Sequence, residues 1–85
     1  MTEEDRAEIE KELQPFREHH LWDETVKDVR RFLEAWAEYK NSPSLDTKYY
    51  VKYWFQILHD DMKQELSSGR ISKVTFDDLM EILYR

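Results

Sequence analysis

The stretch Tyr49–Leu58, YYVKYWFQIL, decides the fold of this chain. Only Lys52 and Gln56 within it are neither apolar nor aromatic. On a helix, at about 100° per residue, Val51, Trp54, Phe55 and Leu58 share one stripe, which Met62 and Leu66 continue. Tyr49, Tyr53 and Ile57, with Tyr50 beside them, form a second apolar arc next to it. Lys52, Gln56, His59 and Lys63 make the only polar sector. A helix apolar over most of its circumference needs covering on several sides. The expected architecture is therefore all-α: a small four-helix bundle with this aromatic-rich third helix at its centre.

Working outward, the linker Asn41–Ser44 (NSPS) is short, so the second and third helices are expected to pack as antiparallel neighbours. The second helix is expected over 24–40, with Asp23 as its N-cap. Val26, Val29, Leu33, Trp36 and Ala37 line one face of it, with Phe32 and Tyr39 at the edge. Lys27, Arg31, Glu34 and Glu38 lie opposite, and Arg30 is placed to pair with Glu34 at i+4. The third helix is expected over 46–66, capped by Ser44 or Asp46 and ended by Ser67, Ser68 and Gly69. A fourth helix over 75–84 has Ser72 and Thr75 as candidate caps. Thr75 is favoured by Asp78 three residues on and by Val74 set to staple against Leu79. The first helix is expected over 2–13. Thr2 and Asp5 form its capping box, Ile9, Leu13 and Phe16 its narrow seam, and Pro15 its end. Residues 1–85 read as a single helical domain with no internal repeat.

With 85 residues the chain is near the lower limit for a self-sufficient core, so a stability of roughly 3–5 kcal/mol is expected. It contains no cysteine, which removes disulfides, thiolate nucleophiles and thiolate metal sites. No apolar run approaches the roughly 18 residues of a membrane span, and no secretory signal pattern is present. A cytoplasmic or nuclear location is expected. Charge is placed unevenly. Residues 1–24 carry nine acids against Arg6, Lys11 and Arg17, and the ten acids and ten bases that follow cancel, so the whole net charge of −6 sits at the N-terminal end. This disfavours non-specific nucleic-acid binding, which needs a basic surface. Glu3, Glu4, Glu8 and Glu12 form either a solvated helix face or an acidic surface that meets a basic partner or imitates a phosphate backbone.

The chemical motifs that could override this reading fail on their spacing. Placing Gly69 at the sixth position of a calcium loop puts Gln64 first and Thr75 last, where carboxylates are required. His19 and His20 are adjacent rather than four apart, and His59 has no ligand-spaced partner, so no metal site or other cofactor is expected. The serines and threonines lie at caps and loops, where capping accounts for them. One glycine leaves no phosphate-cradling loop.

Surfaces remain. The arc Tyr49, Tyr53 and Ile57 is either covered by the first or fourth helix or is a partner site. Trp22 is a lid over the bundle's end or an exposed anchor. Lys27, Arg30 and Arg31 are a solvated face or a site for an acidic or phosphorylated peptide. The functional expectation is a non-enzymatic protein–protein interaction module, an adaptor or small subunit, whose partner is another protein or a second copy in a homodimer. The rival is a small acidic inhibitor that mimics nucleic acid. Phe32, Leu33 and Trp36 on one helix, then Tyr50 and Trp54 on the next, also resemble the helical C-terminal domain of a second-step pre-mRNA splicing factor family, over roughly Val29 to Tyr84. That resemblance implies a helical domain of an RNA-processing factor. The family's characteristic loop has no counterpart here, so no site residue is carried across.

Overall fold

Local chemistry starts three of the four helices, and a distant side chain starts the other. In the computed structural model, which describes residues 2–84, the helices are α1 (Glu3–Glu18), α2 (Asp23–Asn41), α3 (Leu45–Ser67) and α4 (Lys73–Leu83), with no strand among the described residues. The all-α four-helix bundle is as expected. Thr2 and Asp5 close a reciprocal capping box on α1, with Oγ1 accepting the Asp5 N–H at 3.1 Å and the carboxylate accepting the Thr2 N–H at 3.2 Å. Ser44 and Thr47 do the same for α3, at 3.1 and 2.9 Å. For α4 the cap is Ser72, whose Oγ accepts the Thr75 N–H at 3.1 Å. Thr75 is thus the third helical residue rather than the cap, and Val74 is exposed and forms no staple.

α1 overruns its expected end. Pro15 lies inside the helix, which continues to Glu18. Proline withholds one backbone donor, but Leu13 and Phe16 on either side are fully buried, and holding both in the core needs this last turn. The missing bond and the ring clash are tolerated because only three helical residues follow. Pro15→Ala is therefore expected to stabilise the fold by about 1 kcal/mol, read from the urea midpoint. A lower midpoint would mean that the proline stiffens the connector more than it strains the helix.

α3 ends where expected, and the cause is visible. Gly69 sits at φ +79 with its N–H on the Leu66 carbonyl, and the Arg70 N–H reaches back to the Glu65 carbonyl, both at 3.1 Å. This is a glycine-terminated helix end in which the left-handed residue turns the chain toward α4.

Each helix touches two others: α2 lies against α1 and α3, and α4 against α1 and α3. The core is built from Ile9, Leu13 and Phe16 of α1, Val29, Phe32 and Leu33 of α2, Leu58 and Met62 of α3, and Leu79, Met80 and Leu83 of α4. Leu21 and Ile71 close the end where the α1–α2 and α3–α4 connections meet.

The covering of α3 differs from expectation. Helix lengths explain this: α4 has 11 residues, about 16 Å, against 23 residues, about 34 Å, for α3. α4 runs antiparallel beside the C-terminal half of α3, bringing Phe76 to His59 and Tyr84 to Phe55, and stops there. Leu58 and Met62 are buried, while Val51, Trp54 and Phe55 are only half-buried. The outer arc of the N-terminal half has no helix over it.

Candidate partner-binding surface

The open half of α3 presents a row of large side chains. Leu45 is 85% exposed, Tyr49 68%, Tyr50 57% and Tyr53 49%, whereas Ile57 at the end of the arc is half-buried. Leu45, Tyr49 and Tyr53 recur every fourth residue and so lie along one face. Leu45 was missing from the sequence reading. Its signal was there, four residues before Tyr49, but position 45 follows the linker and reads as a helix start rather than as part of a surface.

Beside this row, α2 and α3 leave a groove of about 460 Å³. Arg31, Glu34, Ala35 and Glu38 line it from α2, and Thr47, Tyr50 and Trp54 from α3. The Trp54 ring is held in place from two sides. Tyr53 meets it edge-on at 5.1 Å between ring centres, and the Arg31 guanidinium lies 5.3 Å from the ring centre. Arg31 is itself fixed by Asp28 at 2.8 Å.

The three basic residues singled out in the sequence do not form an open cationic patch, because each faces a carboxylate. Lys27 reaches Glu24 at 3.5 Å, Arg31 reaches Asp28, and Arg30 reaches Glu10 of α1 at 2.6 Å. Arg30 thus bridges helices rather than pairing with Glu34 within its own. Glu10 also takes Arg17 at 2.9 Å, and these two guanidinium groups hold its carboxyl below the ordinary glutamate range. Glu34 and Glu38 have no ion-pair partner among the described residues. On α1, Glu3, Glu4 and Glu8 are exposed and Glu12 is half-buried. Asp5 is drawn below its usual range by an Asn41 amide at 2.8 Å and by its Thr2 cap, tying the start of α1 to the end of α2.

Trp22 stands at the other end of the molecule from the tyrosine row. It occupies the N-cap position of α2, which puts Asp23 inside the helix rather than at its cap. Trp22 has no capping side chain, and Glu65 of α3 substitutes for one. The Glu65 carboxylate is fully buried, and Oε1 accepts the Trp22 N–H at 2.9 Å and the Thr25 hydroxyl at 2.8 Å. Oε2 accepts the Arg70 Nε–H at 3.1 Å. Arg70 in turn donates to the His20 carbonyl at 2.6 Å and lies 4.9 Å from the Trp22 ring centre. His20 has φ 54, in the left-handed region that non-glycine residues rarely adopt. The Arg70 bond fixes that strained turn. A carboxylate taken out of water needs donors on both oxygens, and here three reach it. This buried knot joins both connections at one end of the bundle. It also makes Trp22 a partly exposed lid on Arg70. The sequence carried one hint, a carboxylate seven residues after Leu58 on the buried stripe.

A second acidic site lies along the α2–α3 seam. Burial and the neighbouring Asp28 push the Asp61 carboxyl up to about 7, with Asp60 and Glu24 adding to the repulsion. Among the described residues, no group of three or more His, Cys, Asp or Glu side chains converges to hold a metal ion. No helix there is long and apolar enough to cross a membrane.

The fold and its surface define a small antiparallel helical bundle with one open aromatic face and one buried ionic knot. Compared with known proteins, the chain matches no family model, no curated protein and no solved structure.

Proposed function

We propose that this protein is a non-enzymatic interaction module that binds another protein through the exposed face of α3. The single observation that supports this reading is the row Leu45, Tyr49 and Tyr53, with Tyr50 beside it, left open while the core closes elsewhere. Scattered exposed apolar residues need no explanation, but a contiguous row of them marks a contact surface. Tyrosine is also the residue type that interface centres favour, being large, rigid and able to hydrogen-bond at its tip.

The test is a double substitution, Tyr49→Ser with Tyr53→Ser. Both side chains are exposed, so the unfolding free energy is expected to fall by no more than about 1 kcal/mol, most of it the lost Tyr53 contact with Trp54. Quantitative pull-down is expected to show the captured protein falling at least about ten-fold, a loss typical of two interface anchors. Capture should weaken but not vanish at about 0.5 M salt, because the apolar contacts are not screened. Sedimentation of the purified chain separates a self-complementary face, which gives a dimer that the same substitutions dissolve. Capture that collapses in salt and on neutralising Glu3, Glu4, Glu8 and Glu12, yet survives the tyrosine changes, would replace this reading with the acidic mimic.

A further inference from the structure

We infer that the α2–α3 groove receives a basic amphipathic helix of a partner protein, one that carries two Lys or Arg residues four positions apart. This rests on the interaction reading above and names the chemistry of the partner. Glu34 and Glu38 stand one turn apart on α2, about 6 Å along its axis, which is also the spacing of two side chains at i and i+4 on an incoming helix. Both carboxylates line the groove, and neither meets a cation among the described residues. The cations of α2 near them point to other groups: Arg30 to Glu10, Arg31, which also lines the groove, to Asp28, and Lys40 to the Trp36 ring. The groove therefore presents uncompensated negative charge on its α2 side.

The α3 side is aromatic, and it already accepts a guanidinium. Arg31 lies over Trp54, while Tyr50 is more than half exposed beside it. A cationic side chain crossing the groove would have a carboxylate on one side and the open Tyr50 ring on the other. Ala35 and Thr47 are the short side chains of the lining, so a helix can approach closely there and set an apolar residue between α2 and α3. The chain's net charge of −6 draws such a segment in from a distance. The same charges repel a phosphate backbone, which sets a nucleic-acid occupant aside in favour of a basic protein helix.

The experiment pans the full chain against a displayed library of amphipathic helical peptides with randomised polar positions. The best peptide is then titrated by fluorescence anisotropy. Enrichment of Lys or Arg at i and i+4 is expected. Glu34→Gln with Glu38→Gln should weaken the selected peptide at least ten-fold and flatten its salt dependence, with the helical circular-dichroism signal unchanged. If the selected peptides lack basic residues, or bind the double Gln variant as tightly as the parent, the inference is overturned. In that case loss of binding on Tyr49→Ser with Tyr53→Ser would leave the interaction reading standing. A library that yields no binder above a scrambled control would overturn both.

Discussion

Glu65→Ala is expected to cost about 3–5 kcal/mol, the range for removing one partner of a buried ion pair. In a bundle of this size that approaches the whole stability, so the variant should lose most of its helical circular-dichroism signal at 25 °C. The loss has three identifiable parts. The Trp22 N–H and the Thr25 hydroxyl, both held by Oε1, are left without an acceptor at the start of α2. Arg70 keeps its bond to the His20 carbonyl but loses its carboxylate. The space vacated by a fully buried side chain then adds a cavity. Glu65→Gln separates these parts. An amide oxygen can still accept from Trp22 and Thr25, but the NH2 group then meets the Arg70 Nε–H donor to donor, so this variant should lose the charge pairing and that one hydrogen bond and remain folded, at a cost of about 2 kcal/mol. Equal losses for the two variants, measured by urea denaturation, would show that the negative charge rather than the capping geometry holds this end together.

Asp61→Asn is expected to stabilise the fold by about 2 kcal/mol at pH 8 and to do little at pH 3. The Asp61 carboxyl titrates near 7 in the folded chain, against about 3.9 for an unfolded one. Between those values the folded state holds a proton that the unfolded chain has already released. The Asp61 contribution to parent stability should therefore be greatest below about pH 4, fall as pH rises through this window, and level off above about 7, while Glu10 and Asp5, held low, lose theirs in acid. The groups responsible face it across the seam and along its own helix: Asp28 and Glu24 of α2, and Asp60 of α3. Arg31 pairs with Asp28 at 2.8 Å. Asparagine keeps the size and the hydrogen-bonding capacity and removes the charge. Urea midpoints at pH 3, 6 and 8 decide the matter. Parent and variant curves that run parallel across pH would remove the repulsion between the two carboxyls from the account.

These two predictions share an origin in contacts between residues far apart in the chain. Glu65 reaches donors 40 and 43 positions away, and Asp61 is perturbed by a residue on another helix. Neither could be read from spacing, because a carboxylate on a helix face reads the same in isolation whether it meets water, a cation or a second carboxylate. The partly exposed tyrosines were visible as an apolar arc, but their exposure was not. It follows from α4 ending beside Phe55, and a short fourth helix says nothing about which neighbour it will lie on until the packing is known.

By itself the sequence determined the helical class, the four segments, the box at Thr2 and the glycine end at Gly69, and it narrowed the third helix's cap to Ser44 or Asp46. Those signals act within about one turn of the chain, through periodicity, capping hydrogen bonds and glycine's access to positive φ. Only the tertiary structure decided that Pro15 would be carried inside α1 and that Arg30 would bridge to Glu10. Only the packing, too, buried Glu65 as the cap of another helix and left half of α3 uncovered. The physical reason is common to all four. Each is a choice between water and a distant protein partner, and that choice exists only once the helices have met.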